Sequence, residues 1–411
     1  MTEQLLEARE ERVQDVGAQR RTRVLYLMLR PDPEMYGGTR SILAFLERQR
    51  AVDPYVVVAA ADPDDPAMAE LARLGVPHEY FPAGPIMAAR NRGGAAARLQ
   101  RMAMLVGINL KLLAVIRRVR PDVVHADYEG MTLIGPAARM AGRVLVQHLR
   151  SGRTSARLGM VLGATMLMAD RTVVVSEGLR DECVRRMGPR LKRRVLHRLV
   201  PVFNGVRLDR LAAYRDSVTR EEARAALSIP PDQVAVGIVG GIFDHKGQKE
   251  FLEEVAPRVA AADPRVHFYL VGGVKDEEYA RACRAAAERA PVAGRVTFVG
   301  WQDDVYRWYR ALDIMAFPSL VEGFGRVAVE AQAFGVPVVG ADVAGIRDTL
   351  GEGAGGYLAS SAEETARHLV ALAADPALRA AMGRRGMEFV WRFDVDRVTH
   401  ELESVYAGLE R

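Results

Sequence analysis

The sequence predicts an α/β protein built from two doubly wound parallel-sheet domains, and three observations predict it. Short β-branched apolar runs alternate with longer helical patterns along almost the whole chain. These runs are near-continuously apolar, as strands covered on both faces must be. There are ten or more of them, too large a set for one comfortable sheet.

The runs fall into two groups. The first holds RVLYLML, YVVVAA, DVVHAD, RVLVQHL and RTVVVS; the second holds VAVGIVGG, VHFYLVGG, RVTFVG, DIMAFP and VPVVGA. Between the groups lies Val200 to Gln233, with an Asn-Gly turn, a polar run, a Pro-Pro pair and no clear strand before Val234. The domain boundary is placed there. Ligands of such sheets bind beyond the carboxyl ends of the strands, so the cleft between the domains is the expected site.

Composition narrows the class. The 411 residues are 49% apolar and 27% charged, as in an ordinary globular protein. Cys183 and Cys283 are far apart and form no CxxC pattern, so both read as reduced, buried thiols of a cytoplasmic protein. The net charge of +5 is spread along the chain without a nucleic-acid-binding module, and no nucleic-acid partner is expected. The first 20 residues mix both charges and read as a mobile or weakly helical arm, neither signal peptide nor membrane anchor. Met102 to Arg120 is the most membrane-like stretch, but its apolar part is too short to span and contains Lys111. The favoured reading is a helix packed on a sheet. The alternative is an interfacial helix meeting anionic lipid through Arg90, Arg92, Arg98, Arg101 and Lys111, a peripheral contact at the inner face of the membrane.

Two turns in the second half suit an anion. VAVGIVGGIFDHKGQKEFLEEV reads as a strand, a glycine turn and a helix starting near Gly247. Gly240 and Gly241 let a ligand approach the backbone, and Lys246 precedes free helix N–H groups. The spacing is neither a P-loop nor a dinucleotide fingerprint. DIMAFP-SLVEGFG-RVAVEAQAF repeats the arrangement, with Glu322 in the loop and Glu330 about a turn and a half into the helix. By themselves the two glutamates read as a loop and a surface carboxylate. Taken together, the turns suit a diphosphate, with carboxylates to accept hydrogen bonds from sugar hydroxyls.

At this point the chain resembles a known family. FPSLVEGFGRVAVEAQAFGVPVVGADVAGIRD is similar to the signature of the retaining GT-B glycosyltransferases of glycosyltransferase family 4, with two glutamates separated by seven residues. VGGIFDHKGQ resembles that family's phosphate loop, RVTFVGWQDDVYRWYRALDIMAFPS the segment before the signature, and WRFDVDRVTHELESVY the closing helix. The resemblance is most specific from Val234 to Asp348 and weaker over the first 200 residues. It implies a mobile arm at 1–20, an acceptor domain at 21–205, a nucleotide-sugar donor domain at 206–385 and a helix crossing back to the first domain at 386–411.

By the same resemblance Glu330 would bind the donor's ribose and Glu322 the transferred sugar. Gly323, Phe324 and Gly325 would offer N–H groups, and Lys246 would neutralise the diphosphate without a metal or other cofactor. The donor base would lie near Val299 to Asp304. One feature departs from the pattern: Gly241 stands where the family usually has arginine, and Arg326 and Arg347 are the candidate substitutes. In the first domain Gly37, Gly38 and Thr39 resemble a glycine loop near the diphosphate or acceptor, with Thr39 as a candidate helix cap. His148 stands at the strand end where the family has a histidine near the reacting sugar, and His125, Asp127 and Glu129 are weaker candidates.

The implied reaction moves a sugar from a nucleotide diphosphate sugar to a hydroxyl acceptor, a glycan, lipid-linked sugar or small molecule. The anomeric configuration is retained through front-face attack. The rival readings are a nucleotide-sugar epimerase of related fold and a non-catalytic sugar-nucleotide-binding subunit.

Overall fold

The computed structural model describes residues 20–30, 37–82, 95–150, 156–351 and 353–409. Apart from Arg20, the arm at 1–20 lies outside them, as do Arg90 and Arg92.

Among the described residues thirteen strands form two sheets, and every pairing is parallel. The first sheet contains β1 (Thr22–Arg30), β2 (Val52–Ala60), β3 (His78–Pro82), β4 (Val123–Asp127), β5 (Val144–Leu149), β6 (Arg171–Val174) and β7 (Leu199–Pro201), in the order β3-β2-β1-β4-β5-β6-β7. The second contains β8 (Val234–Val239), β9 (Val266–Val271), β10 (Val296–Gly300), β11 (Ile314–Phe317), β12 (Val338–Ala341) and β13 (Gly356–Ala359), in the order β10-β9-β8-β11-β12-β13. All six residues of β8 are buried, which is why its sequence shows no alternation.

Strand order reverses beside β1 in one sheet and beside β8 in the other. Loops leaving the two sides of such a point diverge and open a crevice at the carboxyl edge. The second domain's phosphate-ready turns both sit on that edge, after β8 and after β11.

The sequence reading omits three strands. HEYFP of β3 carries charge and ends in proline, which only an edge strand tolerates. LVP of β7 is three residues long, and GYLA of β13 opens on glycine. The apolar segment from Met102 lies within a helix, Ala95–Val119, whose Ile108, Leu112, Leu113 and Ile116 pack on the first sheet. Val106 and Leu110 of the same helix are exposed, and no helix among the described residues is long and apolar enough to cross a membrane. Cys183 and Cys283 are buried free thiols.

The chain passes between the sheets twice. The helix Pro376–Phe389 still packs on the second sheet's layer, where Gly386 meets Gln332 and Gly355. The passage follows at Val390–Asp394, and the last helix, Val395–Ala407, buries Val395, Val398, Leu402 and Tyr406 in the first domain's core. The two passages pair with each other: Val206 N–H donates to Phe393 (2.9 Å) and Val395 N–H donates to Val206 (3.0 Å).

A second contact joins the domains at the cleft floor. Ser176 caps the helix Glu177–Arg186 and donates its hydroxyl to the Gly323 carbonyl at 2.7 Å. Gly178 N–H donates to Asp348 at 2.8 Å, and a Cβ on Gly178 would lie 2.3 Å from the Ala344 carbonyl oxygen. Gly178→Ala must therefore force the domains apart here. The expected cost is about 1–3 kcal/mol, the usual range for overpacking. It should appear as a lower urea midpoint; an unchanged midpoint would show that this contact does not form in solution.

Candidate active site

The carboxyl edges of both sheets enclose a cavity of about 760 Å³, a size that suits a nucleotide-sized ligand. The second domain contributes Gly240, Gly241, Lys246, Lys275, Trp301, the segment Val321 to Val327, and Glu330. The first domain contributes Gly38, Arg40, Arg150 and Asn204.

Each wall element follows from its local sequence. After β8 the chain turns through Gly240 (φ 148°) and Gly241, then makes a short 3₁₀ turn at Asp244–Lys246. Gly247 has φ 70° and sits so close to Pro318 that a Cβ would lie 2.2 Å from the carbonyl oxygen. Only glycine satisfies both demands. That contact locks the Lys246 turn against the loop after β11. Lys246 Nζ donates to Glu322 Oε2 at 2.7 Å.

The helix Arg326–Ala333 begins after Gly325, which has φ 86°, and ends at Gly335, with φ 74°. Among the described residues no acceptor takes the N–H groups of Gly323, Phe324 or Gly325. These donors, with the positive end of the helix, offer a seat that suits an anion.

Glu330 is buried at 4% exposure, so the surface-carboxylate reading is corrected. It accepts from Arg326 Nε at 2.7 Å and from the Tyr309 hydroxyl at 3.0 Å. A buried carboxylate needs such partners to remain in the fold. Arg326 also reaches across the cleft to Ser41 Oγ (3.3 Å) and the Gly205 carbonyl (3.5 Å).

Of the first-domain candidates, Gly38 lies on the cleft wall, and Thr39 and His148 lie off it. Gly37 opens the helix Gly37–Arg48. Thr39 is within the first turn and does not cap the helix; its hydroxyl accepts from the buried Arg30 at 2.8 Å. His148 is 1% exposed and lies behind the wall. Arg150, two residues on and just past the end of β5, lines the cleft and touches His148 from there.

Arg150 fixes the proton arrangement behind it. Its guanidinium can only donate, and it does so to Asn204 Oδ1 (2.6 Å) and His148 Nδ1 (3.2 Å). His148 Nδ1 is therefore unprotonated. His125 Nε2, 3.1 Å away, must donate to it, so His125 Nδ1 accepts from the Tyr406 hydroxyl at 2.8 Å. Tyr406 in turn meets the Tyr26 hydroxyl at 3.1 Å, which accepts from Gln49 Nε2. Burial, then the Arg150 charge, pushes His125 down to about 3 and His148 well below the usual histidine range. Burial also lowers Arg150 to about 10, which leaves it charged at neutral pH.

The structure thus brings together Gly38, Gly240, Gly241, Lys246, Glu322, Gly323, Phe324, Gly325 and Glu330, and leaves His148 and Thr39 off the wall. Arg347 pairs with the Asp342 carboxylate away from the cavity lining. Sequence reasoning missed Arg40, Arg150, Asn204 and Lys275, and reached Trp301 only as part of the Val299 to Asp304 segment. One signal was available for Lys275: VGGVKD after β9 repeats the strand-Gly-Gly-cation order of VGGIFDHK after β8.

Comparison with known proteins agrees with this geometry. Residues 35–210 match the family described as Glycosyltransferase Family 4, and residues 233–375 match Glycosyl transferases group 1. A D-inositol 3-phosphate glycosyltransferase of Saccharomonospora viridis is 31% identical over 387 residues, covering 87% of this chain and 85% of that protein. The enzyme of that name from Streptomyces bingchenggensis is 31% identical over 316 residues, covering 71% and 67%. Among solved structures, HepE from Anabaena in complex with UDP-glucose has a TM-score of 0.76 at 20% identity, covering 94% of this chain and 99% of that one. Sucrose-phosphate synthase from Thermosynechococcus elongatus has a TM-score of 0.74 at 21% identity, covering 95% and 99%.

Two facing Rossmann-like domains around this cleft are the GT-B fold. The chain belongs to glycosyltransferase family 4.

The buried histidines make stability depend on pH. An unfolded imidazole titrates near 6.5, whereas these rings stay neutral in the fold. Below pH 6.5 the unfolded chain binds more protons, so stability is complete above that value and is lost as pH falls towards 3. Each ring contributes a slope of up to about 1.4 kcal/mol per pH unit. Thermal unfolding followed from about pH 8 to 4 should show this decline, and His125→Asn should make it shallower.

Proposed function

We propose that the protein transfers a glycosyl unit from a nucleoside diphosphate sugar to a hydroxyl acceptor, with retained anomeric configuration and without a metal. The supporting observation is the convergence of Lys246, unpaired loop N–H groups and two paired glutamates around one cleft. The diphosphate would sit at the helix start between Lys246 and Gly323 to Gly325. Glu330, with lone pairs beyond those given to Arg326 and Tyr309, would accept from ribose hydroxyls. Glu322 would accept from the sugar once the diphosphate draws Lys246 away.

In the step itself the bond from the anomeric carbon to the phosphate oxygen breaks. The acceptor oxygen bonds to that carbon on the same face. The acceptor's proton passes to the departing phosphate oxygen, whose charge the cleft stabilises. No side chain stands as a nucleophile in this scheme, so the two-carboxylate hydrolase route is not invoked. Closure about the paired passages at Val206 and Phe393 to Val395 would exclude water from the donor.

The acceptor would enter along the first-domain wall. Arg40 and Arg150 there suit an acceptor that carries an anionic group. The phosphorylated polyol in the relatives' name is a compound of that kind.

The test is calorimetric titration with UDP, GDP, ADP and TDP in the presence of EDTA. One nucleotide should bind without metal. Glu330→Gln should weaken it about 10- to 100-fold, the loss of a charge-assisted hydrogen bond. Well-folded protein that binds none of the four would reject the reading.

A further inference from the structure

The diphosphate of a nucleotide sugar carries two negative charges, and the second domain offers one obvious cation to it, Lys246. Position 241, where the resembling family carries an arginine, is glycine. The structure shows what fills the space. A Cβ built on Gly241 would lie 3.3 Å from Cγ of Lys275 and 3.3 Å from Cε1 of Phe243. The stem of Lys275 therefore packs tightly beside the place where a side chain at 241 would begin. Lys275 is exposed and lines the same cleft as Lys246.

This placement is built into the backbone. Lys275 follows β9, the strand that neighbours β8. Its N–H donates to the Ile242 carbonyl at 3.1 Å, and that of Asp276 donates to the same oxygen at 3.3 Å. Ile242 N–H returns a bond to the Gly273 carbonyl at 2.9 Å. The two Gly-Gly turns touch: a Cβ on Gly272, which has φ 153°, would lie 2.1 Å from the Gly240 carbonyl oxygen. Two turns that share hydrogen bonds and exclude side chains from their contact form one rigid ledge. Lys275 stands on that ledge and lines the cleft shared with Lys246 and the Gly323 to Gly325 loop.

Among the other described cations of the cleft, Arg326 reaches Ser41 and Gly205 of the first domain, and Arg40 and Arg150 belong to the opposite wall. We infer that Lys275, from the loop after β9, is the second cation for the donor's diphosphate and takes over the charge that position 241 lacks. The inference rests on the nucleoside diphosphate sugar reading above. It assigns the leaving group's charge to two lysines on adjacent strand ends. Each lysine is a point charge, so neither supplies the bidentate geometry of an arginine.

The test compares affinities for UDP, GDP, ADP and TDP, and for the parent nucleoside of whichever binds, in four proteins: wild type, Lys275→Ala, Lys246→Ala and the double variant Gly241→Arg/Lys275→Ala. Thermal unfolding confirms that each is folded. Lys275→Ala should weaken the diphosphate about tenfold or more and leave the nucleoside unchanged, because only the diphosphate carries charge. The double variant should return to within about threefold of wild type, since removal of the Lys275 stem opens the space an arginine at 241 needs.

Three results would overturn the inference. In the first, Lys275→Ala binds the diphosphate as wild type does while Lys246→Ala does not; the donor reading then stands and Lys275 has no part in it. In the second, diphosphate and nucleoside weaken equally, which marks a structural role. In the third, a folded double variant binds no better than Lys275→Ala alone, and the two positions do not serve one phosphate. Wild-type protein that binds no nucleoside diphosphate would remove the donor reading itself, and this inference with it.

Discussion

The site is organised around the ion pair between Arg326 and Glu330. A carboxylate at 4% exposure on a helix of apolar neighbours would be costly without compensation. Arg326, four residues earlier, and Tyr309 from the neighbouring helix, Val305–Ala311, supply that compensation. The same guanidinium reaches Ser41 and Gly205 in the first domain. One side chain therefore settles a buried charge and marks how near the domains stand. Lys246 and Glu322 apply the same principle at the other end of the loop. Both carboxylates are held by cations before any ligand arrives, so a ligand must share or replace existing partners. Such a site is ordered in advance and loses little freedom on binding.

The two walls are built in different ways. On the second domain glycines at 240, 272 and 325, in conformations or contacts closed to other residues, bring backbone to the cleft beside Lys246, Glu322 and Glu330. On the first domain the wall consists of side chains supported from behind. Arg150 is held by Asn204 and His148, and a hydrogen-bonded chain continues through His125 and Tyr406 to Tyr26 and Gln49. Tyr406 lies on the helix that crosses back from the second domain, so the far end of the chain helps to hold the first-domain wall of the cleft.

Much of this was legible in the sequence where local rules are strong. Buried parallel strands must be apolar throughout, so ten of the thirteen could be read directly. The strands that escaped, β3, β7 and β13, are short, or carry the charge and proline that an edge tolerates. Glycine-rich turns at strand ends likewise marked the anion seat. Burial of Glu330 was not legible, because Val327, Val329, Ala331 and Ala333 surround the helix axis and do not by themselves say which face meets a second domain. Nor was the exchange between His148 and Arg150. Both stand at the end of β5, but His148 is held in the buried chain with His125 and Tyr406, and Arg150 lines the cleft.

The sequence by itself determined the fold class, the family resemblance and the loop that carries the two glutamates. Each is fixed by periodicity or by residues adjacent in the chain. Tertiary structure alone decided which charges meet. Lys246 finds Glu322 across 76 positions, Tyr406 finds His125 across 281, and the Lys275 stem occupies the space beside Gly241 because β8 and β9 are neighbours in the sheet. Electrostatic partners are chosen by distance in space, and a sequence orders residues only by distance along the chain.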